Sequence, residues 1–404
     1  MTFEVSQHGR GYPRAVLSAI ILWTAVGLLA WVYLGYPILV AALARVAPWR
    51  PRPTDPQPTL SVAIAVHNEA DAIAGRIADA FAQDAPGVRL VEVLVGSDGS
   101  ADATERIVAE LAANEPRLRL MSLPRGGQTT AQHALFEAAR GEVVVLTDAE
   151  TRFRPGCLGA LAEAFRDPRV GCATGRLEWR DERATATSSN EGLYWRYERH
   201  VRELESRAGL LTAVTGALLA VRRSAYRPVP ATASMDHLLP LYVAEAGGLV
   251  VYVPAAAATD RPISGLREQL RNRTRTATRG IRANLSMAGR LAPWRRPGAA
   301  LAIWSHKLLR WATPWFLLAV TGSGLALGLS GATAYLIAPA IVVAGLLLAV
   351  AAHLFVGAGR RPPRLVTFAR SFAVVNLAFA VGWLNVLRGR EIEVWHRAEF
   401  RVEG

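Results

Sequence analysis

The sequence predicts an α/β domain, a mostly parallel sheet with crossover helices, set between transmembrane helices. Three observations carry this reading. Short apolar runs alternate with helix-spaced segments over residues 60–164, acidic residues collect just after three of those runs, and long uncharged stretches flank the block on both sides.

Residues 15–44 contain no charged side chain, more than the roughly 20 residues that a spanning helix needs. The stretch is too long, and its flank too bulky, for a cleaved signal peptide. "LSVAIAV" then precedes "EADAIAGRIADAFAQ", "LVEVLVG" precedes "ADATERIVAELAA", "RLRLMSL" precedes "TTAQHALFEAA", and "EVVVLT" precedes a helix near "LGALAEAF". Strands alternating with helices at this spacing build a mostly parallel sheet, and such sheets bind ligands beyond the carboxyl ends of their strands. Residues 312–359 again lack Lys, Arg, Asp and Glu, with "LSGATA" as a turn between two helices, and residues 371–387 add a shorter uncharged stretch. The expected organisation is an N-terminal transmembrane helix and flank over 1–52, a soluble domain over 53–298, and an interfacial helix with about three transmembrane helices over 299–404. "IWSHKLLRWATPW" reads as that interfacial helix, its Trp residues at headgroup depth.

The net charge of +13 is concentrated beside the spans, and no acidic residue occurs from Gln269 to Arg390. A juxtamembrane basic belt suits anionic lipid headgroups and diphosphates rather than nucleic acid. Arg45, Arg50 and Arg52 after the first span, with ten basic residues from Arg271 to Arg310, place the soluble block on the cytoplasmic side of a plasma or inner membrane, and the tail after Leu387 outside. Cys157 and Cys172 lack metal-ligand spacing and read as reduced, structural thiols.

Polar residues gather at the strand ends. His67, Asn68 and Glu69 follow the first; Ser97, Asp98, Gly99, Ser100 and Asp102 the second; Asp148 and Glu150 the fourth. "DATE" reads as a helix cap at Asp102 with Glu105 behind it. Two carboxylates one residue apart at a strand tip repel each other, and they need either a cation or a solvated loop.

In order along the chain, "SVAIAVHNEA", "GSDGSADAT", "TDAETRFRPGCLGALAEAFRDPRVGCATG", "GLYWRYE", "TGALLAVRR" and "SHKLLRW" resemble a membrane-bound family 2 inverting glycosyltransferase with a GT-A domain, similar to chitin-oligosaccharide, poly-N-acetylglucosamine and hyaluronan synthases. The resemblance covers nearly the whole chain. It implies transfer from a nucleotide sugar, with negative charge growing on the departing diphosphate and a divalent cation stabilising it. Asp148 and Glu150 stand where the family has Asp-x-Asp, and oxygen ligands of this kind suit Mg²⁺ or Mn²⁺. Asp98 matches the acid that contacts the base or ribose, with His67 and Glu69 beside it, which implies a UDP-sugar donor. Asp236, preceded here by Met235, falls where the family has its catalytic base; by itself it reads as a helix cap.

Gln128 replaces the family's Lys and Phe136 its Asn. "REQLRNRTRTATRG" lacks the Trp of Gln-x-x-Arg-Trp, leaving Arg275 as the nearest match to the diphosphate-binding Arg, among Arg271, Arg273 and Arg279. Trp195, with Tyr194 and Tyr197, forms either an acceptor platform or part of a core. The acceptor implied is a glycan or a lipid-linked sugar, in cell-surface polysaccharide synthesis. Two rivals remain: transfer to a polyprenyl phosphate, and a non-catalytic GT-A-like subunit of a glycan export complex. A transporter is disfavoured because the spans carry almost no polar residues.

Overall fold

The computed structural model describes residues 12–179, 188–260, 265–358 and 362–390. Helix α1 (Tyr12–Ala30), a π-helical segment (Trp31–Gly35) and α2 (Tyr36–Val46) follow one another without a break. Together Arg14–Val46 is long and apolar enough to cross a membrane. Strands and helices then alternate as the sequence predicts: β1 (Thr59–Val66), α3 (Ala70–Phe81), β2 (Arg89–Asp98), α4 (Thr104–Ala112), β3 (Leu118–Leu123), α5 (Gln128–Ala138) and β4 (Val143–Thr147). The second half of the domain holds β5 (Arg152–Phe153), α6 (Cys157–Ala164), β6 (Val170–Trp179), α7 (Ser188–Arg207), β7 (Leu218–Arg222), α8 (Met235–Ala246) and β8 (Leu249–Asp260). After it come α9 (Leu266–Ala288), α10 (Pro297–Ala302), a second π-helical segment (Ile303–Leu308), α11 (Leu309–Trp311), α12 (Thr313–Leu329), α13 (Ile337–Gly357) and α14 (Arg364–Leu387).

The eight strands form one sheet in the order β3-β2-β1-β4-β7-β6-β8-β5. The first four strands are parallel, as expected. The other half is mixed, because β7 runs antiparallel between β4 and β6 and β5 runs antiparallel on β8. Register decides what lies at the carboxyl edge. Val66 pairs with Ser97, Ile64 with Thr147, and Thr147 with Leu218. The turn after β1, the end of β2, the end of β4 and the start of β7 therefore share one rim.

Alternate residues of β1 serve opposite faces, the period-2 geometry of a strand. Val62, Ile64 and Val66 pack with α3 and α6, through Ile73, Ile77, Leu158 and Leu161. Ala63 and Ala65 belong to a second core that runs through Leu135 and Leu239 to Ile281 of α9, Trp311 and Phe379 of α14. The sheet domain and the C-terminal helices thus share one apolar core.

Thr333–Gly357 and Arg364–Leu387 are further candidate spans, and Pro297–Trp311 with Thr313–Leu329 forms a fourth broken by a 57° bend. Pro314 sits in the first turn beyond that bend, where a missing N–H breaks no helical bond. This agrees with one N-terminal and about three C-terminal spans. The expected interfacial helix over residues 303–315 is corrected, because His306, Lys307 and Arg310 are buried, not at a lipid surface. Lys307 Nζ lies 3.1 Å from Glu198 Oε1, His306 bridges Glu198 at 3.1 Å and Glu205 at 2.8 Å, and Arg310 also bonds Glu198. Two carboxylates two turns apart on α7 supply the counter-charge that makes burial of Lys307 and Arg310 possible. Tyr36, Val40 and Ala44 of α2 pack beside them on Val201 and Leu204.

Candidate active site

The turn after β1 is stitched to the loop after β2. Asn68 takes a left-handed conformation (φ 55°). Its N–H donates to Ser100 Oγ at 3.1 Å, and its Oδ1 accepts from Ala101 N–H at 2.8 Å. Asp102 accepts from Thr104 N–H and Ala70 N–H. It thereby joins two helix starts rather than capping one; Glu105 bonds Ser122 and closes no capping box. Although burial opposes it, these bonds hold the Asp102 carboxyl below its ordinary value.

Asp98 ends β2 as expected, but it is buried, and its carboxylate faces protein donors. It accepts from Gly126 N–H at 2.7 Å, Gly127 N–H at 3.0 Å and Arg125 Nη1 at 2.9 Å. His67 Nδ1–H donates to its backbone carbonyl at 3.0 Å. Asp98 thus anchors the loop that delivers Gln128 to the first position of α5. From there Gln128 Nε2 donates to Asp148 Oδ1 at 3.3 Å.

Asp148, the first residue after β4, is the focus of the rim. Burial, followed by the charges of Asp260, Asp236 and Glu69, pushes its carboxyl up to about 7, with Arg275 opposing. The sequence-predicted residues Asp148, Asp236, Glu69, Gln128 and Arg275 therefore converge. Glu150 is half-buried two residues further on, yet it is not among the charges that weigh most on Asp148.

Sequence reasoning missed Asp260. Arg152 pairs with Thr259 across β5 and β8, which carries Asp260 level with Thr151 in the turn that holds Asp148 and Glu150. The signal was present as a repeated ending, since "VVVLTD" and "AAAATD" are both apolar strands closing on Thr-Asp. Among the described residues, no three His, Cys, Asp or Glu side chains form a closed metal cage. The arrangement suits a cation held by one or two carboxylates, with phosphate oxygens and water completing its shell.

Asp236 lies in the first turn of α8, with Ser234 as the residue before the helix, so the expected cap at Asp236 is corrected by two positions. Its Oδ1 accepts from the Ser234 hydroxyl and lies 3.2 Å from His237 Nδ1. Gly216, two residues before β7, lies beside Asp236: a Cβ there would sit in van der Waals contact with its carboxyl carbon, at 3.4 Å. Burial pushes the carboxyl up, but His237, Ser234 and Arg279 outweigh it and hold the group well below the usual range. Arg275 and Arg279 stand one turn apart on α9, and Arg275 feels both Asp236 and Asp148. At Gly280 an added Cβ would come within 2.5 Å of the Trp311 ring and 3.1 Å of His237 Cδ2, so α9 is seated directly against the His237 side of the site.

The Trp195 side chain lies outside the described residues. Its neighbour Tyr197 packs against the apolar cluster of Tyr36 and Val40, on the core side of the two readings for that helix.

Residues 61–229 match the family model described as glycosyl transferase family 2. An N-acetylglucosaminyltransferase of Mesorhizobium japonicum is 31% identical over 237 residues, 54% of this chain and 55% of the relative. The succinoglycan biosynthesis protein ExoO of Rhizobium meliloti is 40% identical over 114 residues, 28% of this chain and 31% of that protein. The chain spans about half the length of the N-acetylglucosaminyltransferase it matches. Among solved structures, the mannosyltransferase PcManGT from Pyrobaculum calidifontis, in complex with GDP-Man and Mn²⁺, is similar with a TM-score of 0.67 over 92% of this chain and 100% of that one, at 22% identity. That likeness is one of fold. Residues 61–229, which carry Glu69, Asp98, Gln128 and Asp148 of the rim, thus match the glycosyl transferase family 2 model, on a fold similar to that of a solved mannosyltransferase.

Proposed function

We propose that this chain is a membrane-embedded inverting glycosyltransferase that moves a sugar from a UDP-sugar to a glycan or lipid-linked acceptor, in the synthesis of a cell-surface polysaccharide. The observation that carries the reading is the convergence of Asp260, Asp236 and Glu69 on Asp148, with Arg275 opposite. A pole of negative charge with one guanidinium is a seat for a cation-bound diphosphate, and Asp148 with Glu150 would hold Mg²⁺ or Mn²⁺ there. When bound, the cation stabilises charge on the leaving diphosphate. His67, Glu69 and the Asp98-anchored loop would border the nucleotide, Arg275 would meet the diphosphate, and Asp236 would take the acceptor proton. Trp195 keeps its proposed place at the acceptor.

N-acetylglucosamine is the sugar named for the Mesorhizobium relative, so UDP-N-acetylglucosamine is the first donor to try. The deciding experiment is UDP release by the detergent-purified full chain across a panel of UDP-sugars, with GDP-mannose included, in Mn²⁺, in Mg²⁺ and after EDTA. Release that ignores EDTA removes the cation from this reading, and no release with any donor favours a non-catalytic subunit. On this reading the catalytic part spans residues 53–298 and faces the cytoplasm, the side favoured by the basic residues beside the spans. A cysteine installed at Asp102 should resist an impermeant thiol reagent applied to intact cells; efficient labelling would reverse the orientation.

A second reading has a specific observation behind it. A carboxylate held far below its usual range is a weak base, and two arginines stand by it. Both features suit an acceptor that arrives already ionised, such as a polyprenyl phosphate. Parallel assays with a polyprenyl phosphate and with a hydroxyl acceptor separate the two.

A further inference from the structure

Behind the Asp148–Glu150 turn lies a buried guanidinium that the chemistry above does not use. Arg76 of α3 has a side chain with 0% exposure. Its Nη1 donates to the Thr151 carbonyl at 2.7 Å and also bonds Asp79, while its guanidinium carbon sits 3.9 Å from the Phe153 ring centre. Asp79 accepts the Phe153 N–H at 2.9 Å. On the same turn Arg152 Nη1 donates to the Ala149 carbonyl at 2.7 Å, and its Nη2 reaches back to Ala72 in α3 at 3.1 Å. The gripped carbonyls belong to Ala149, between the two acids, and to Thr151, directly after the second. Holding those two peptides restrains the turn that carries Asp148 and Glu150, one of them directly flanking Glu150 and lying one residue beyond Asp148.

Stability alone is a poor account of this arrangement. Arg76 Nε and Nη2 are buried with no hydrogen-bond partner among the described residues. Leaving polar groups of a charged side chain unbonded is costly, and a well-packed apolar residue of similar volume is often as stable as a buried ion pair. What an apolar residue does not supply is a donor aimed at Thr151 together with a charge that holds Asp79 on Phe153.

We propose that Arg76 is a positioning residue for the cation site, acting through the backbone of residues 149–153 to hold Asp148 and Glu150 in their binding geometry. The inference rests on the reading of that turn as the cation-binding turn. It differs from a packing role in what it affects: loss of Arg76 weakens cation binding even where the fold is kept.

The test is Mn²⁺ binding, counted as free Mn²⁺ by electron paramagnetic resonance at saturating UDP, with melting temperature measured on the same full-chain samples in detergent. Arg76→Met is expected to lower Mn²⁺ affinity by roughly 10- to 100-fold, the range for losing a group that orients a metal ligand. Arg76→Lys, which keeps charge and one donor, should lie between Arg76→Met and the parent. Folded Arg76→Met with parental affinity overturns the proposal. If Arg76→Met does not fold, Arg152→Met, which releases the Ala149 carbonyl and removes the second donor on the Thr151 carbonyl, is read instead, and parental affinity there overturns the backbone route by which Arg76 is proposed to act. A parent protein that binds no Mn²⁺ with UDP present defeats the cation reading itself, a separate outcome visible before any variant is made.

Discussion

Gln128 Nε2 donates to Asp148 Oδ1 across 3.3 Å, so the residue that stands in place of a lysine is bonded directly to the carboxylate at the centre of the site. A neutral amide can orient that carboxylate without neutralising it, which leaves the charge for a cation. Gln128→Ala should therefore lower Mn²⁺ affinity or turnover by roughly tenfold, the low end for a group that orients a ligand. Titration of Mn²⁺ against UDP release measures it, and unchanged titration curves would show that the contact has no part in the site.

Asp148→Asn should separate function from stability. The carboxyl has an ordinary value of 3.8 and is raised to about 7 in the folded chain by burial and neighbouring acids. Between about pH 4 and 7 the folded state then keeps a proton that the unfolded chain has released. Stability falls as pH rises through that window, and the penalty is fully present above pH 7. Removing the charge should raise the melting temperature of the metal-free protein at pH 8 while abolishing turnover and the Mn²⁺ dependence of UDP binding. A lower melting temperature at pH 8 would falsify this electrostatic account.

For Asp236→Asn the two acceptor readings diverge. With a hydroxyl acceptor, transfer should fall by roughly 10² or more while UDP-sugar affinity holds, since the base acts on the acceptor. A phosphate acceptor needs no base, and transfer to it should survive nearly intact. Parental rates with hydroxyl acceptors would remove Asp236 from the proton transfer.

Glu198→Gln tests the junction between α7 and the bent C-terminal helix. Glu198 accepts from His306, Lys307, Arg310 and Arg202 in a buried setting, and although burial opposes it, Arg310 and Lys307 hold its carboxyl well below the usual range. Neutralising it strands buried cations, which costs about 3–5 kcal/mol. Thermal unfolding in detergent should show a large drop. A melting temperature equal to the parent's would mean that these cations find lipid or water instead.

The sequence by itself determined the alternation of strands and helices, the apolar spans, and which strand ends carry acids. Those features are local: apolar run length, period 2 or 3.6, and the residues that close a run are all set within a dozen positions. It also marked Asp148, Asp236 and Arg275, though not that they meet. Tertiary structure decided the rest. Asp260 joins the site only because β5 and β8 pair in one register, and Arg275 stands out from its neighbouring arginines only because α9 packs on α8 at Gly280. His306, Lys307 and Arg310 looked like a headgroup-facing stripe because their partners, Glu198 and Glu205, lie about a hundred residues earlier. Charge pairing across that separation leaves no trace in a window of sequence, since electrostatic energy depends on distance and burial in space and not on position along the chain.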